Sequence, residues 1–155
     1  MKTFADNAGR TWTVGLNVDA VRRVRAALQV NLLAAVEGEL LERLATDPVL
    51  LCDVLYVLCQ PEAERRGVSD ADFGRAMAGD ALEHATTALL EELVDFFPSG
   101  KRRVLHQALA KLRAVEARAL AFAQARLNDP ELDRRIEAAL SGPTAPSSSW
   151  PPSPA

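Results

Sequence analysis

An apolar segment near the middle of the chain most constrains its fold. Residues 48–59 read PVLLCDVLYVLC, and Asp53 is the only charged residue among them. Asp47 and Pro48 form a helix start signal, because aspartate caps free N–H groups and proline suits the first helical position. We therefore predict a helix that is apolar nearly all round and that other elements must cover. A β-strand is the alternative for so short an apolar run.

The first 14 residues have a different character. Residues 3–14, TFADNAGRTWTV, place a turn cluster from Asp6 to Gly9 between two short runs rich in threonine, valine and aromatic residues. This composition predicts a β-hairpin. A lone hairpin is marginal in water, so it must pack on helices or offer its edge to another chain. Trp12 is expected to pack on the helices, with an exposed anchor for another subunit as the alternative.

Capping residues and periodic apolar positions predict helices along the rest of the chain. Gly38 divides the second helix or bends it, and Gly74 and Gly79 are points of interruption in a later one. Gln60 to Gly67 is predicted to be a loop, with or without one helical turn. The last two long helices are expected to form an antiparallel pair around residues 98–100. The predicted helices cover about 18–28, 32–44, 48–60, 70–97, 101–127 and 130–140.

These elements predict a mainly α fold, in which an N-terminal β-hairpin of about residues 3–14 packs on a compact bundle of five or six helices. Residues 1–141 are sized for one helical domain of adaptor type. From residue 142 the chain reads GPTAPSSSWPPSPA, which contains no charged residue. Such a composition cannot bury enough apolar surface to order itself, so residues 142–155 are predicted to be a disordered tail.

Charge is unevenly distributed around a net value of −3. Residues 37–95 carry fourteen acids and four bases, whereas residues 96–126 carry seven bases and one acid. The basic helix could neutralise phosphates. The acidic total charge and the absence of an aromatic stacking motif argue against nucleic acid. We expect the basic helix to lie against the acidic segment that precedes it.

The reactive side chains form no recognisable catalytic or metal-binding set. Cys52 and Cys59 would lie roughly 10 Å apart on a helix, too far for a disulfide, so they are predicted to be reduced core thiols. Only two histidines, His84 and His106, accompany them. The sequence therefore predicts no enzyme, no metal or cofactor and no small-molecule substrate.

An acidic group between residues 80 and 95 and the hairpin tryptophan are the candidate partner-binding residues. The acidic group has two interpretations, a solvated surface or a dock for a basic partner helix. The candidates are Trp12, Asp80, Glu83, Glu91, Glu92 and Asp95.

The chain carries no signal for membrane insertion at its start. MKTFADN lacks an apolar signal region, and residues 48–59 are too short to cross a bilayer. The expected location is therefore the cytoplasm.

Five segments in this order resemble a family of tail assembly chaperones from long-tailed bacteriophages and related prophages. None of them is a catalytic signature, so the resemblance rests on the whole order of segments. They are TFADNAGRTWTV at 3–14, VRRVR at 21–25, LLERLATDPVLLCDVLYVLC at 40–59, GVSDADFGRAMAGDAL at 67–82 and ALLEELVDFFP at 88–98.

The resemblance implies a small, non-enzymatic helical adaptor made in the host cytoplasm during phage assembly. It would bind the aggregation-prone tape measure protein, with the tail-tube protein as a further partner. The family has no well-defined catalytic residues to carry over. The alternative from a different class is a structural tail or neck subunit, a homo-oligomer in which hairpin edges pair between copies to form a ring.

Overall fold

The computed structural model describes residues 1–142, so the predicted tail lies outside the described residues except for Gly142. The mainly α fold with an N-terminal antiparallel hairpin is confirmed. Seven α-helices and one 3₁₀ helix are present in this range, more than the five or six predicted. The elements are β1 Lys2–Ala5, β2 Thr11–Val14, α1 Val18–Leu28, the 3₁₀ helix Leu32–Glu37, α2 Glu39–Thr46, α3 Pro48–Arg66, α4 Asp70–Arg75, α5 Asp80–Phe96, α6 Ser99–Leu127 and α7 Pro130–Ser141.

The chain divides into two units, whereas the sequence predicts one domain over residues 1–141. The first unit is Met1–Leu112, and the second begins at Arg113, inside α6. The division between the units follows the point along the chain at which side chains cease to be buried. The apolar side chains that form the core all come from residues 4–109, and none of residues 113–142 is buried.

Three predicted helix starts are confirmed by their capping hydrogen bonds. The Asn17 side chain accepts from the N–H of Ala20 at 2.8 Å. Asp47 Oδ1 accepts from the first N–H groups of α3, and Asp129 caps α7 in the same way. In the last two cases proline follows the cap, as the sequence predicts.

The loop predicted from Gln60 to Gly67 is wrong, because α3 continues through Pro61 to Arg66. A proline inside a helix leaves the carbonyl four residues earlier without its N–H donor, and here that carbonyl belongs to Val57. Arg23 Nη1 on α1 donates to the Val57 carbonyl at 2.9 Å. The guanidinium therefore replaces the missing donor and joins α1 to α3.

The helix predicted over 70–97 is two helices, α4 and α5, separated at residues 76–79. Gly79 lies at φ 59°, outside the helical region, which ends any continuous helix there. The hairpin turn occupies this break. The Asn7 N–H donates to the Ala76 carbonyl at 2.9 Å, and Asn7 Nδ2 donates to the Ala78 carbonyl at 3.1 Å.

The hairpin packs on the helices of the first unit with one face. β1 lies along α5 and β2 contacts α3, while the strand register pairs Phe4 with Trp12 and Thr3 with Thr13. Phe4, Trp12 and Val14 face the core, whereas the threonines face outward. Seven residues of α3 are buried, which confirms its predicted central position.

The last two long helices, which are predicted to form an antiparallel pair, make contact beside the turn that joins them in the first unit, where His106 Nε2 of α6 lies 3.6 Å from Asp95 Oδ1 of α5. There α5 packs most extensively against β1, and α6 buries only Leu105 and Leu109. Further along α6, the apolar residues Val115 and Phe122 are exposed. The reason is that the core ends near Leu112 while the helix continues.

Candidate functional site

Trp12 is a core residue of the hairpin and not an exposed anchor. Its side chain is 0% exposed and meets the Phe73 ring edge-on, with the centroids 5.1 Å apart. The Arg66 guanidinium lies 5.0 Å from the centroid of the indole ring. The predicted packing on the helices is confirmed, and in this conformation the ring is not available to a partner.

The buried carboxylate of Asp6 organises the hairpin turn. Its Oδ1 accepts from the N–H groups of Ala8 and Arg10, both at 2.9 Å. Its Oδ2 accepts from Arg10 Nε and Trp12 Nε1, both at 2.8 Å. Burial alone would raise the pKa of Asp6, but the hydrogen bonds from Trp12 and Arg10 favour the ionised form and leave the pKa below its ordinary value. The sequence predicts a turn residue at Asp6, but it does not predict that the carboxylate is buried and accepts from Arg10 and Trp12.

The predicted acidic group does not lie on one surface. Glu92 is buried, 8% exposed, and its carboxylate lies 3.4 Å from the N-terminal ammonium and accepts from the Leu16 N–H at 3.4 Å. It therefore ties the start of β1 and the end of β2 to α5. This placement corrects its assignment to a surface that a partner could contact.

The other predicted acids of α5 remain at the surface. Asp80, Glu83 and Asp95 are exposed, and Glu91 is partly exposed. Asp95 Oδ1 lies 3.6 Å from His106 Nε2, and Lys2 Nζ lies 3.8 Å from Asp95 Oδ2 and 3.9 Å from Glu91 Oε2. Since α-helical positions advance by 100° per residue, Glu83 lies about 60° to one side of Asp80, and Asp80, His84, Glu91 and Asp95 all lie within about 60° of one another. We name these four residues the α5 stripe.

Both cysteines are free thiols, as predicted. Cys59 is buried, and its Sγ lies 3.7 Å from the Thr13 carbonyl, to which it can donate a weak hydrogen bond. Burial raises the pKa of Cys59 to about 12, and burial followed by the charges of Asp53 and Asp70 raises the pKa of Cys52. Neither thiol is therefore in an environment that would form a reactive thiolate near neutral pH.

An exposed apolar surface on α6 was not predicted as a site. It is defined by six apolar residues of the helix beyond the first unit that fall within one side of it, a side that also carries Glu116 and Arg126, and we name it the α6 face. Phe122 is 66% exposed and Leu120 is 63% exposed. The residues of the α6 face are Val115, Ala119, Leu120, Phe122, Ala123 and Leu127.

The short helix α7 also presents apolar side chains without burying any residue. Ile136 and Leu140 are one turn apart and exposed. The sequence predicts that α6 pairs with the helix before it, but apolar spacing alone does not identify which part of α6 is covered. A usable signal was the length of α6, since 29 residues extend about 43 Å, more than a core of this size can cover.

No group of three or more residues that could hold a metal ion is found between residues 1 and 142. In the same range no single helix is long and apolar enough to cross a membrane. Only α2 and α3 taken together have that length and composition, and the two helices meet at a bend of 100°. Comparison with protein-family models, with curated proteins and with solved structures finds no match to this chain.

Proposed function

We propose that this protein is a non-enzymatic tail assembly chaperone of a phage or prophage, and that it binds the tape measure protein through the α6 face. The observation that carries the proposal is the contrast in burial along one helix. Leu105 is 1% exposed, whereas Phe122, further along the same helix, is 66% exposed. Exposed apolar surface of this kind is typical of sites for protein partners.

The chemistry of the α6 face favours an apolar helical partner. An amphipathic helix places its own apolar side on such a surface through positions spaced three and four residues apart. Arg118 and Arg126 are exposed on the same stretch of α6 and outnumber its exposed acid, Glu116, so this stretch would favour a partner with acidic residues beside its apolar side. A tape measure protein with long amphipathic helices fits this description, and the resemblance of residues 3–98 to the chaperone family supports the same partner.

Co-expression tests the proposal. We expect the full chain to raise the soluble yield of the tape measure protein encoded beside it and to copurify with it. The double variant Val115→Asp/Phe122→Asp places two charges on the α6 face and should abolish copurification, because each carboxylate would have to lose its water on binding.

The matched control shifts the same changes by one residue. Ala114→Asp/Ala121→Asp adds two charges with the same spacing to exposed positions outside the α6 face, and it should copurify like the wild type. Equal behaviour of the two double variants, or no copurification of the wild-type chain, contradicts the proposal. Circular dichroism of each variant establishes that the helices are retained.

The ring-forming structural subunit remains the alternative, because the outer edge of β1 could pair between copies. Sizing by chromatography with light scattering distinguishes the two functions. A monomer or a weak dimer agrees with the chaperone, and a ring of fixed subunit number that persists on dilution favours the structural subunit.

A further inference from the structure

The two outer edges of the N-terminal hairpin differ in whether side chains contact their main-chain groups. At the outer edge of β2, the Thr13 N–H donates to Glu62 Oε2 at 3.4 Å, and the Thr13 carbonyl lies 3.7 Å from Cys59 Sγ. Glu62 and Cys59 both belong to α3, so side chains of this helix cover the outer edge of β2. Among residues 1–142, no such contact is found at the outer edge of β1.

The strand register identifies the main-chain groups that the β1 edge offers. The Asp6 N–H donates to the Arg10 carbonyl, and hydrogen-bonded pairs alternate with non-hydrogen-bonded pairs in an antiparallel ladder. Phe4 with Trp12 is therefore a hydrogen-bonded pair, and Thr3 with Thr13 is not. The N–H and C=O groups of Thr3 and Ala5 consequently point away from β2, toward the open edge.

The α5 stripe runs beside this edge. β1 and α5 are antiparallel, since Met1 contacts Glu92 and the turn residue Asn7 contacts Ala78 just before α5. A cleft of about 450 Å³ lies between the start of β1 and α5, and its lining includes Thr3, His84 and Glu91. The cleft therefore has the start of β1, including Thr3, on one side and the middle of the α5 stripe, His84 and Glu91, on the other.

We propose that the outer edge of β1 binds an extended segment of another protein by strand addition, and that this segment carries lysine or arginine at alternate positions. Thr3 and Ala5 supply four main-chain hydrogen-bonding groups. Alternate side chains of an added strand face one way, so alternate bases would face Asp80 at one end of the stripe and, at the other end, Asp95, which also contacts Lys2 Nζ at 3.8 Å. From Asp80 to Asp95 α5 rises about 22 Å, which an extended segment of about seven residues spans.

This inference goes beyond the proposed function, because it concerns a different surface and a different peptide chemistry. The probe is a fluorescent peptide of sequence TKVKTKV with blocked ends, titrated against the full chain and followed by anisotropy at low salt. Saturable binding is expected, and the peptide TEVETEV should not bind. In amide hydrogen exchange of the wild-type chain, TKVKTKV should slow exchange at Thr3 and Ala5 but not at Thr11.

Matched variants separate main-chain pairing from charge. Thr3→Pro removes an outward N–H and should weaken binding about tenfold, whereas Thr11→Pro, the same change on β2, should leave it unchanged. Asp80→Asn/Asp95→Asn should also weaken binding about tenfold, and Glu131→Gln/Glu137→Gln, with the same change in net charge, should not.

Three results overturn the inference. They are equal binding of TKVKTKV and TEVETEV, no protection of Thr3 and Ala5 in the wild-type chain, and a self-associated chain that becomes monomeric on Thr3→Pro. The last result would assign the edge to a second copy of this protein. Loss of tape measure binding by the α6 variants bears on none of these readouts, so the two proposals fail separately.

Discussion

The first unit and the helices that follow it are built from similar sequence signals and differ in what those signals accomplish. Asp47 and Pro48 begin α3, and Asp129 and Pro130 begin α7, with the same type of cap. Seven residues of α3 are buried, and none of α7 is. Capping and apolar spacing therefore determine that a helix forms. Whether its apolar side is covered depends on what the rest of the chain, or a partner, supplies.

The largest expected effect compares two leucines of the same helix. Leu105→Ala should lower the free energy of unfolding by about 3 kcal/mol, because it opens a cavity in the core. Leu120→Ala should change it by less than about 0.5 kcal/mol, since that side chain is exposed. Urea unfolding followed by circular dichroism measures both. Equal losses in the free energy of unfolding at the two positions would contradict this contrast, because they would mean that the α6 face is covered in the free protein.

A smaller effect is expected at the polar centre of the first unit. Asp6→Asn should cost about 2 kcal/mol at neutral pH, because an amide N–H₂ would replace the oxygen that Arg10 and Trp12 contact. The control Asp72→Asn changes an acid that is half exposed and should cost little. Urea unfolding at neutral pH compares the two variants.

The pH dependence of the Asp6 effect has a definite sign. The pKa of Asp6 is lowered in the folded state, so its contribution is present above the unfolded value of 3.8 and disappears as pH falls through the folded pKa. The difference between wild type and Asp6→Asn should therefore shrink under acid conditions. A difference that stays constant with pH would show that ionised Asp6 does not hold the turn.

The main-chain hydrogen bond that Pro61 removes from α3 gives a further test within the first unit. Arg23→Met should cost about 1.5 kcal/mol, because the Val57 carbonyl loses a charged donor. In the Pro61→Ala background the main chain can supply its own N–H to Val57, so the cost of Arg23→Met should fall by at least half. A double-mutant cycle measures the coupling. Equal costs in the two backgrounds contradict the role of Arg23 as the replacement donor.

The smallest effect compares the two capping aspartates. Asp47→Ala should lower the free energy of unfolding by about 1 kcal/mol, because α3 is part of the cooperative core. Asp129→Ala should leave the unfolding midpoint unchanged and reduce only the helical signal, since α7 contributes no buried residue. A matching shift of the midpoint in both variants would indicate that the second unit unfolds together with the first.

Much of the secondary structure could be predicted from local chemistry. Asn17, Asp47 and Asp129 cap helices where the sequence places them, and the turn cluster after Ala5 forms the expected hairpin. These signals act within a few residues. The continuation of α3 through Pro61 could not be predicted in this way, because its replacement donor comes from Arg23, 34 residues away from Val57.

The candidate surfaces were less predictable, because they depend on contacts between residues that are far apart in the chain. The acids of α5 were found by composition, but only the fold separates buried Glu92 from exposed Asp80 and Asp95. The open edge of β1 depends on which strand α3 covers. The α6 face has the spacing of a core helix, and its exposure follows from the end of the core at Leu112, which no local pattern marks.

We propose above that residues 113–127 form a docking surface for the tape measure protein. Amide hydrogen exchange of the chain, free and in complex with the tape measure protein, tests it most directly. We expect amide hydrogen exchange along Arg113–Leu127 to slow when the tape measure protein binds, and exchange of the α3 amides to stay unchanged. Exchange that stays the same along 113–127 while protection appears only in the first unit would contradict it.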